Sequence, residues 1–108
     1  MDRYQDYVIK DGKFIGRFEE MYQKFNDPWH QRENLNNFYS RMLTPVTLMQ
    51  YELKRVIEIG CGLGAFTNYL HEAVPSCYLS GMDISETAVA KAKKFYPDLD
   101  FVQGGIAV

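Results

Sequence analysis

The run RVIEIGCGLGAF, Arg55 to Phe66, constrains the fold more than any other stretch of the chain. A β-branched segment passes straight into Gly60, Gly62 and Gly64, and then into the helical spacing of Phe66, Tyr69, Leu70 and Ala73. That order is the signature of a tight strand-to-helix turn. The alternation then continues. CYLSGMD reads as a second strand, Ser85 as the N-cap of a helix carrying Ala88, Val89, Ala92 and Phe95, and DFVQG as a third strand, with Pro75 and Pro97 closing the two helices. Strand, helix, strand, helix and strand within about fifty residues require parallel strands joined by right-handed crossovers. The expected fold class is therefore α/β, a partial doubly wound, Rossmann-like parallel sheet of about three strands in the order 3-2-1, preceded by N-terminal helices.

The N-terminal part has a different period. Phe14, Phe18, Met21, Tyr22 and Phe25 recur at steps of three and four, which predicts one helix from Gly12 to Phe25, stopped by Asn26, Asp27 and Pro28. A second apolar stripe runs through Leu35, Phe38, Tyr39 and Met42, and Pro45 is expected to open a further turn or short helix towards Tyr51. No Gly/Ser/Pro linker separates the two parts, so the expected organisation is one domain, with residues 1–52 as a helical N-terminal segment and 53–108 as the sheet.

Composition excludes several classes. With 108 residues, 46% of them hydrophobic and 24% charged, the chain is long enough for one small globular core. It holds 8 basic and 8 acidic residues up to Lys54, then 4 and 6, which sums to the net charge of -2 and implies no basic face for nucleic acid or an anionic membrane. Cys61 and Cys77 have neither CxxC spacing nor a secretory context and read as free thiols in a reducing, cytoplasmic setting, not as a disulfide or a metal site. MDRYQDYVIK lacks the apolar core of a signal peptide, and no apolar run reaches transmembrane length.

Glycines in alternation exceed what a turn needs. They let a ligand approach the backbone where the following helix starts with free N–H groups. Asp83 closes the second strand 19 residues beyond Gly64, where a doubly wound sheet brings its strand ends over one crevice. There a carboxylate either accepts both hydroxyls of a ribose or leads into the next helix. A dinucleotide site is the weaker fit, because Glu58 lies two residues before the first glycine and would face a doubly anionic pyrophosphate. A Walker loop is excluded by the lack of Gly-Lys-Ser/Thr.

VIEIGCGLG resembles the E/D-x-G-x-G-x-G first motif of class I S-adenosylmethionine-dependent methyltransferases, and LSGMDIS resembles their second-strand motif with its terminal acid. The resemblance implies S-adenosyl-L-methionine as cofactor. Glu58, Gly60, Cys61, Gly62 and Gly64 would then surround its amino-acid portion, with Asp83 on the ribose and Ile84 against the adenine. FEEMYQKFNDPWHQ is similar to the segment ahead of the cofactor domain in nodulation-factor type N-methyltransferases, which implies a lid containing Asp27, Pro28 and Trp29, with Arg32 or Arg41 reaching the cofactor carboxylate. His30 is a candidate base near the acceptor, and His71 reads as polar helix surface; neither is assigned a catalytic role. Where the family often places an acid beyond its third strand, this chain has Gly105. The family sheet has seven strands and this sequence supplies three of them. The expectation is thus the N-terminal half of a methyltransferase that acts on a small-molecule acceptor. Its first strand would be exposed at the sheet edge and would self-associate or pair with a complementary half. The rival expectation is a non-catalytic nucleoside-binding or dimerisation module.

Overall fold

The computed structural model describes residues 3–29 and 39–106. Three parallel strands form the main sheet: β3 (Arg55–Ile59), β4 (Tyr78–Asp83) and β5 (Asp100–Gln103), with β4 in the centre. The order 3-2-1 and the α/β class agree with the sequence expectation. The crossovers are α3 (Ala65–Ala73) and α4 (Glu86–Phe95).

Both crossovers pack on one face of the sheet. Val56 and Leu79 on that face contact Leu70 and Val74 of α3, and Phe101 contacts Val89 and Ala92 of α4. Successive right-handed crossovers in one direction leave the opposite face uncovered. Ile57, Ile59 and Val102 there remain 46%, 48% and 47% exposed, although their β-branched composition is that of strands buried on both sides.

Before the sheet, a 3-10 turn (Tyr4–Tyr7) leads into a hairpin of β1 (Ile9–Lys10) and β2 (Lys13–Phe14), and then α1 (Phe18–Lys24) follows. This corrects the helix expected from Gly12. Asp11 and Gly12 adopt φ of 52° and 74°, the paired left-handed geometry of a two-residue hairpin turn. The Asp-Gly signal was present in the sequence, and the apolar spacing through Phe14 masked it. Phe14 is accordingly 72% exposed, touching Phe18 but outside the core. The stripe is real from Phe18 onward. Met21 and Tyr22 are buried with Leu63 and Ala88, and each such side chain stabilises the fold by about 1.5–3 kcal/mol.

A second correction concerns Pro45, which lies inside α2 (Tyr39–Gln50) and opens no new element. Proline in a helix interior removes one backbone hydrogen bond. Burial of Leu48 from the same helix against Leu70, Val74 and Leu79 opposes that cost. Leu35 and Phe38, from the stripe expected in this region, lie outside the described residues. Among the described residues, no helix is long and apolar enough to cross a membrane.

Candidate functional site

The carboxyl ends of the three strands open onto one cavity of about 430 Å³, a volume typical of small-ligand sites. Ile59 and Gly60 come from the end of β3, Asp83 and Ile84 from the end of β4, and Gly104 to Ile106 from beyond β5. Phe18, Tyr22 and Trp29 supply the remaining wall from α1 and the turn behind it. Four residues singled out in the sequence, Gly60, Asp83, Ile84 and Trp29, therefore meet around a single space.

The glycine loop is laced to β4 by its backbone. Gly60 and Cys61 donate their N–H groups to the Met82 carbonyl at 2.8 and 3.0 Å, and Gly62 donates to Asp83 Oδ2 at 2.9 Å. Asp83 Oδ1 accepts from the Ser85 N–H at 3.0 Å. The carboxylate thus fixes both the loop and the start of α4, and it keeps lone pairs towards the cavity.

Gly60 has φ of 76°, and a Cβ there would meet nothing within 4 Å, so its bare backbone faces open space. Gly64 has another task. At φ of 84° it caps α3, and a Cβ would lie 2.6 Å from the Phe101 ring and 3.2 Å from the Ala92 methyl. It lets the start of α3 close on β5 and α4.

Glu58, Cys61, Gly62 and Gly64 do not line the cavity. Glu58 sits on the helix-covered face and accepts a 2.6 Å hydrogen bond from Thr67 Oγ1, a fully buried hydroxyl in the first turn of α3. Cys61 is buried with Val89, Ala92, Leu99 and Phe101. Burial pushes its thiol up to about 12, with Asp83 and then Glu58 adding to the effect, so it stays protonated and unreactive. His30 and Arg32 lie outside the described residues, as does the Arg41 side chain.

Tyr22 is 4% exposed and accepts a hydrogen bond from the Trp29 indole. Burial, then the Asp83 carboxylate, push its phenol well above the ordinary value. It is therefore a neutral donor at the cavity wall. Periodicity identified Phe18 and Tyr22 as core residues, and their part in the wall follows only from the docking of α1 on α4.

That docking has a polar latch the sequence did not reveal. Glu19 Oε1 accepts from Ser85 Oγ at 2.5 Å and the Thr87 N–H at 3.0 Å, and its Oε2 accepts from Thr87 Oγ1 at 2.6 Å. Ser85 Oγ is in turn the cap acceptor for Ala88 N–H at 3.0 Å, as its position predicts. The Ser85 and Thr87 hydroxyls lower the Glu19 carboxyl from the ordinary 4.5 to about 2. A carboxyl lowered by folding contributes stability that is complete above pH 4.5 and lost as the pH falls towards 2. Melting curves should accordingly show the gap between wild type and Glu19→Gln shrinking across that window; a constant gap would contradict the assignment.

Parallel strands ending on a cavity, with an acid and a bare backbone loop at adjacent strand ends, define the class of doubly wound nucleotide-type binding folds. Residues 56–107 match the family model described as a methyltransferase domain. Over 54 residues the chain is 41% identical to trans-aconitate 2-methyltransferase of Acidovorax sp. (strain JS42), an overlap of 50% of this chain and 21% of that protein. The chain thus spans about a fifth of the length of the curated relatives it matches. Among solved structures, the plantazolicin methyltransferase BpumL in complex with a monoazolic desmethylPZN analog and SAH superposes with a TM-score of 0.60 at 21% identity, over 94% of this chain and 38% of that one. The PH0226 protein from Pyrococcus horikoshii OT3 gives 0.52 at 24% identity, over 81% and 40%. These two likenesses establish the fold. Residues 56–107 thus resemble the methyltransferase domain of class I S-adenosylmethionine-dependent methyltransferases.

The residues present fit such a cofactor. Asp83 offers carboxylate lone pairs to a diol, Gly60 leaves room for close backbone approach, and Ile84 with the aromatic wall offers apolar surface to a planar base. Gly105 carries no acid, and a Cβ there would lie 2.8 Å from Ile84 Cγ2.

Proposed function

We propose that the chain binds S-adenosyl-L-methionine in this cavity as the cofactor-binding part of an enzyme that methylates a small-molecule acceptor. The observation that carries the reading is that Asp83 and the open backbone of Gly60 share one cavity at the strand ends. In this reading Asp83 binds the ribose hydroxyls and Ile84 lies against the adenine. Gly60 presents its bare backbone to the amino-acid portion, on a loop that Glu58 braces through Thr67 and that Gly62 ties to Asp83. Trp29 belongs to a lid formed by residues 1–52, and residues 53–108 form the cofactor-binding half.

The bound cofactor supplies an activated sulfonium methyl group. The chain's own residues hold it, orient it and exclude water, which is where most of the acceleration of such a displacement is available. No residue is assigned a catalytic role. A small acceptor is supported by the balanced charge, by the aromatic wall and by the relatives named for trans-aconitate. The free, buried thiols Cys61 and Cys77 suit a reducing, cytoplasmic setting.

A second reading, a nucleoside-binding or dimerisation module without catalysis, is favoured by the bare sheet face at Ile57, Ile59 and Val102. On either reading the β3 edge and this face take a partner, a second copy or a complementary half. Calorimetric titration with S-adenosylhomocysteine and with NAD, on samples also run in a sedimentation experiment, separates the possibilities. S-adenosylhomocysteine alone should bind, to a chain that sediments above the monomer mass. NAD binding would overturn the cofactor assignment, and a strict monomer at high concentration would overturn self-association.

A further inference from the structure

Three hydrogen-bonded links join α1 to the glycine loop through the acid of the cavity. Glu19 accepts from Ser85 Oγ, the Ser85 N–H donates to Asp83 Oδ1, and the Gly62 N–H donates to Asp83 Oδ2. Glu19 also takes both polar groups of Thr87, its N–H and its hydroxyl. The first turn of α4 has Ala88 where a capping-box acid would stand; the Ser85 N–H that such an acid would take goes to Asp83, and the Thr87 N–H of the same turn is satisfied from α1. At the far end of the same helix pair, Lys91 Nζ donates to the carbonyls of Tyr22 at 2.7 Å and Phe25 at 3.4 Å, neutralising the end of α1 as Glu19 neutralises the start of α4. The helices are thereby fastened at two points, and α1 and its following turn carry Phe18, Tyr22 and Trp29 into the cavity wall.

We infer that Glu19 is a positioning residue: by latching α1 onto Ser85 and Thr87 it sets the aromatic wall over Asp83 and couples the lid to the glycine loop. It touches no ligand itself. An apolar contact alone leaves α1 free to slide along α4, whereas charge-assisted bonds to two fixed groups define one register. The latch rests on the adenosyl reading only for its consequence in ligand affinity; the docking geometry stands independently of it.

Trp29 is the single tryptophan of the chain and reports the wall directly. In the ligand-free full chain, Glu19→Ala should raise acrylamide quenching of Trp29 about twofold with unchanged far-UV circular dichroism, and should weaken S-adenosylhomocysteine binding about tenfold. Thr87→Val, which removes a partner hydroxyl and leaves Glu19 in place, should shift both readouts in the same direction by less. It also carries the test if Glu19→Ala does not fold. Unchanged Trp29 quenching in the variant that folds overturns the positioning role. If the wild-type chain binds no S-adenosylhomocysteine, the cofactor reading fails, and the quenching result by itself decides the role of Glu19.

Discussion

An Asp83→Asn variant should bind S-adenosylhomocysteine on the order of 100-fold more weakly than the wild-type chain, because two charge-assisted hydrogen bonds to a ribose diol become one neutral acceptor and one donor. The same change reaches into the protein. Both carboxylate oxygens already accept backbone N–H groups, from Gly62 and Ser85, and an amide satisfies only one of them. Stability should therefore fall by roughly 1–3 kcal/mol, the cost of a buried polar group left without its partner. Calorimetry at a temperature where circular dichroism shows the variant folded separates the two effects. Retained affinity in a folded variant would remove Asp83 from the ribose.

Gly64→Ala is expected to be among the most damaging substitutions for folding. Alanine strains at φ of 84°, and its methyl would sit 2.6 Å from the Phe101 ring. Strain and overpacking together cost about 2–4 kcal/mol, a large share of the stability of a domain this size. Gly60→Ala is the control, with similar φ but nothing within 4 Å of the new methyl. It should lose about 1 kcal/mol, the strain alone. Urea denaturation of both variants gives the comparison, and equal losses would show that the close approach of α3 to Phe101 carries no energetic weight. The contrast assigns separate tasks to two glycines that look alike in the sequence: Gly60 keeps the cavity open, and Gly64 keeps the crossover tight.

Local chemistry made the second half legible. The spans of β3, α3, β4, α4 and β5 follow from β-branched runs, helical spacing, the Ser85 cap and prolines placed just beyond helix ends, and those signals act within a few residues of each other. The first half was less legible because two local signals competed. The apolar spacing through Phe14 favoured a helix, while Asp11-Gly12 favoured a hairpin, and the left-handed turn prevailed because Gly12 adopts it without strain. At Pro45, propensity alone argued for a new start, and burial of Leu48 in the cluster beneath α2 kept one helix.

From the residues alone came the parallel sheet, its strand order, the glycine turn and the acid at the end of β4, since periodicity and turn chemistry are properties of neighbouring positions. The tertiary structure decided which of those residues share a space. It turned Glu58 towards Thr67, gave Gly64 to helix packing, and brought Tyr22 and Trp29 to Asp83 through a Glu19 latch spanning 66 and 68 positions in the chain. No local pattern encodes a contact of that separation, because it exists only once two helices have buried their apolar faces against each other.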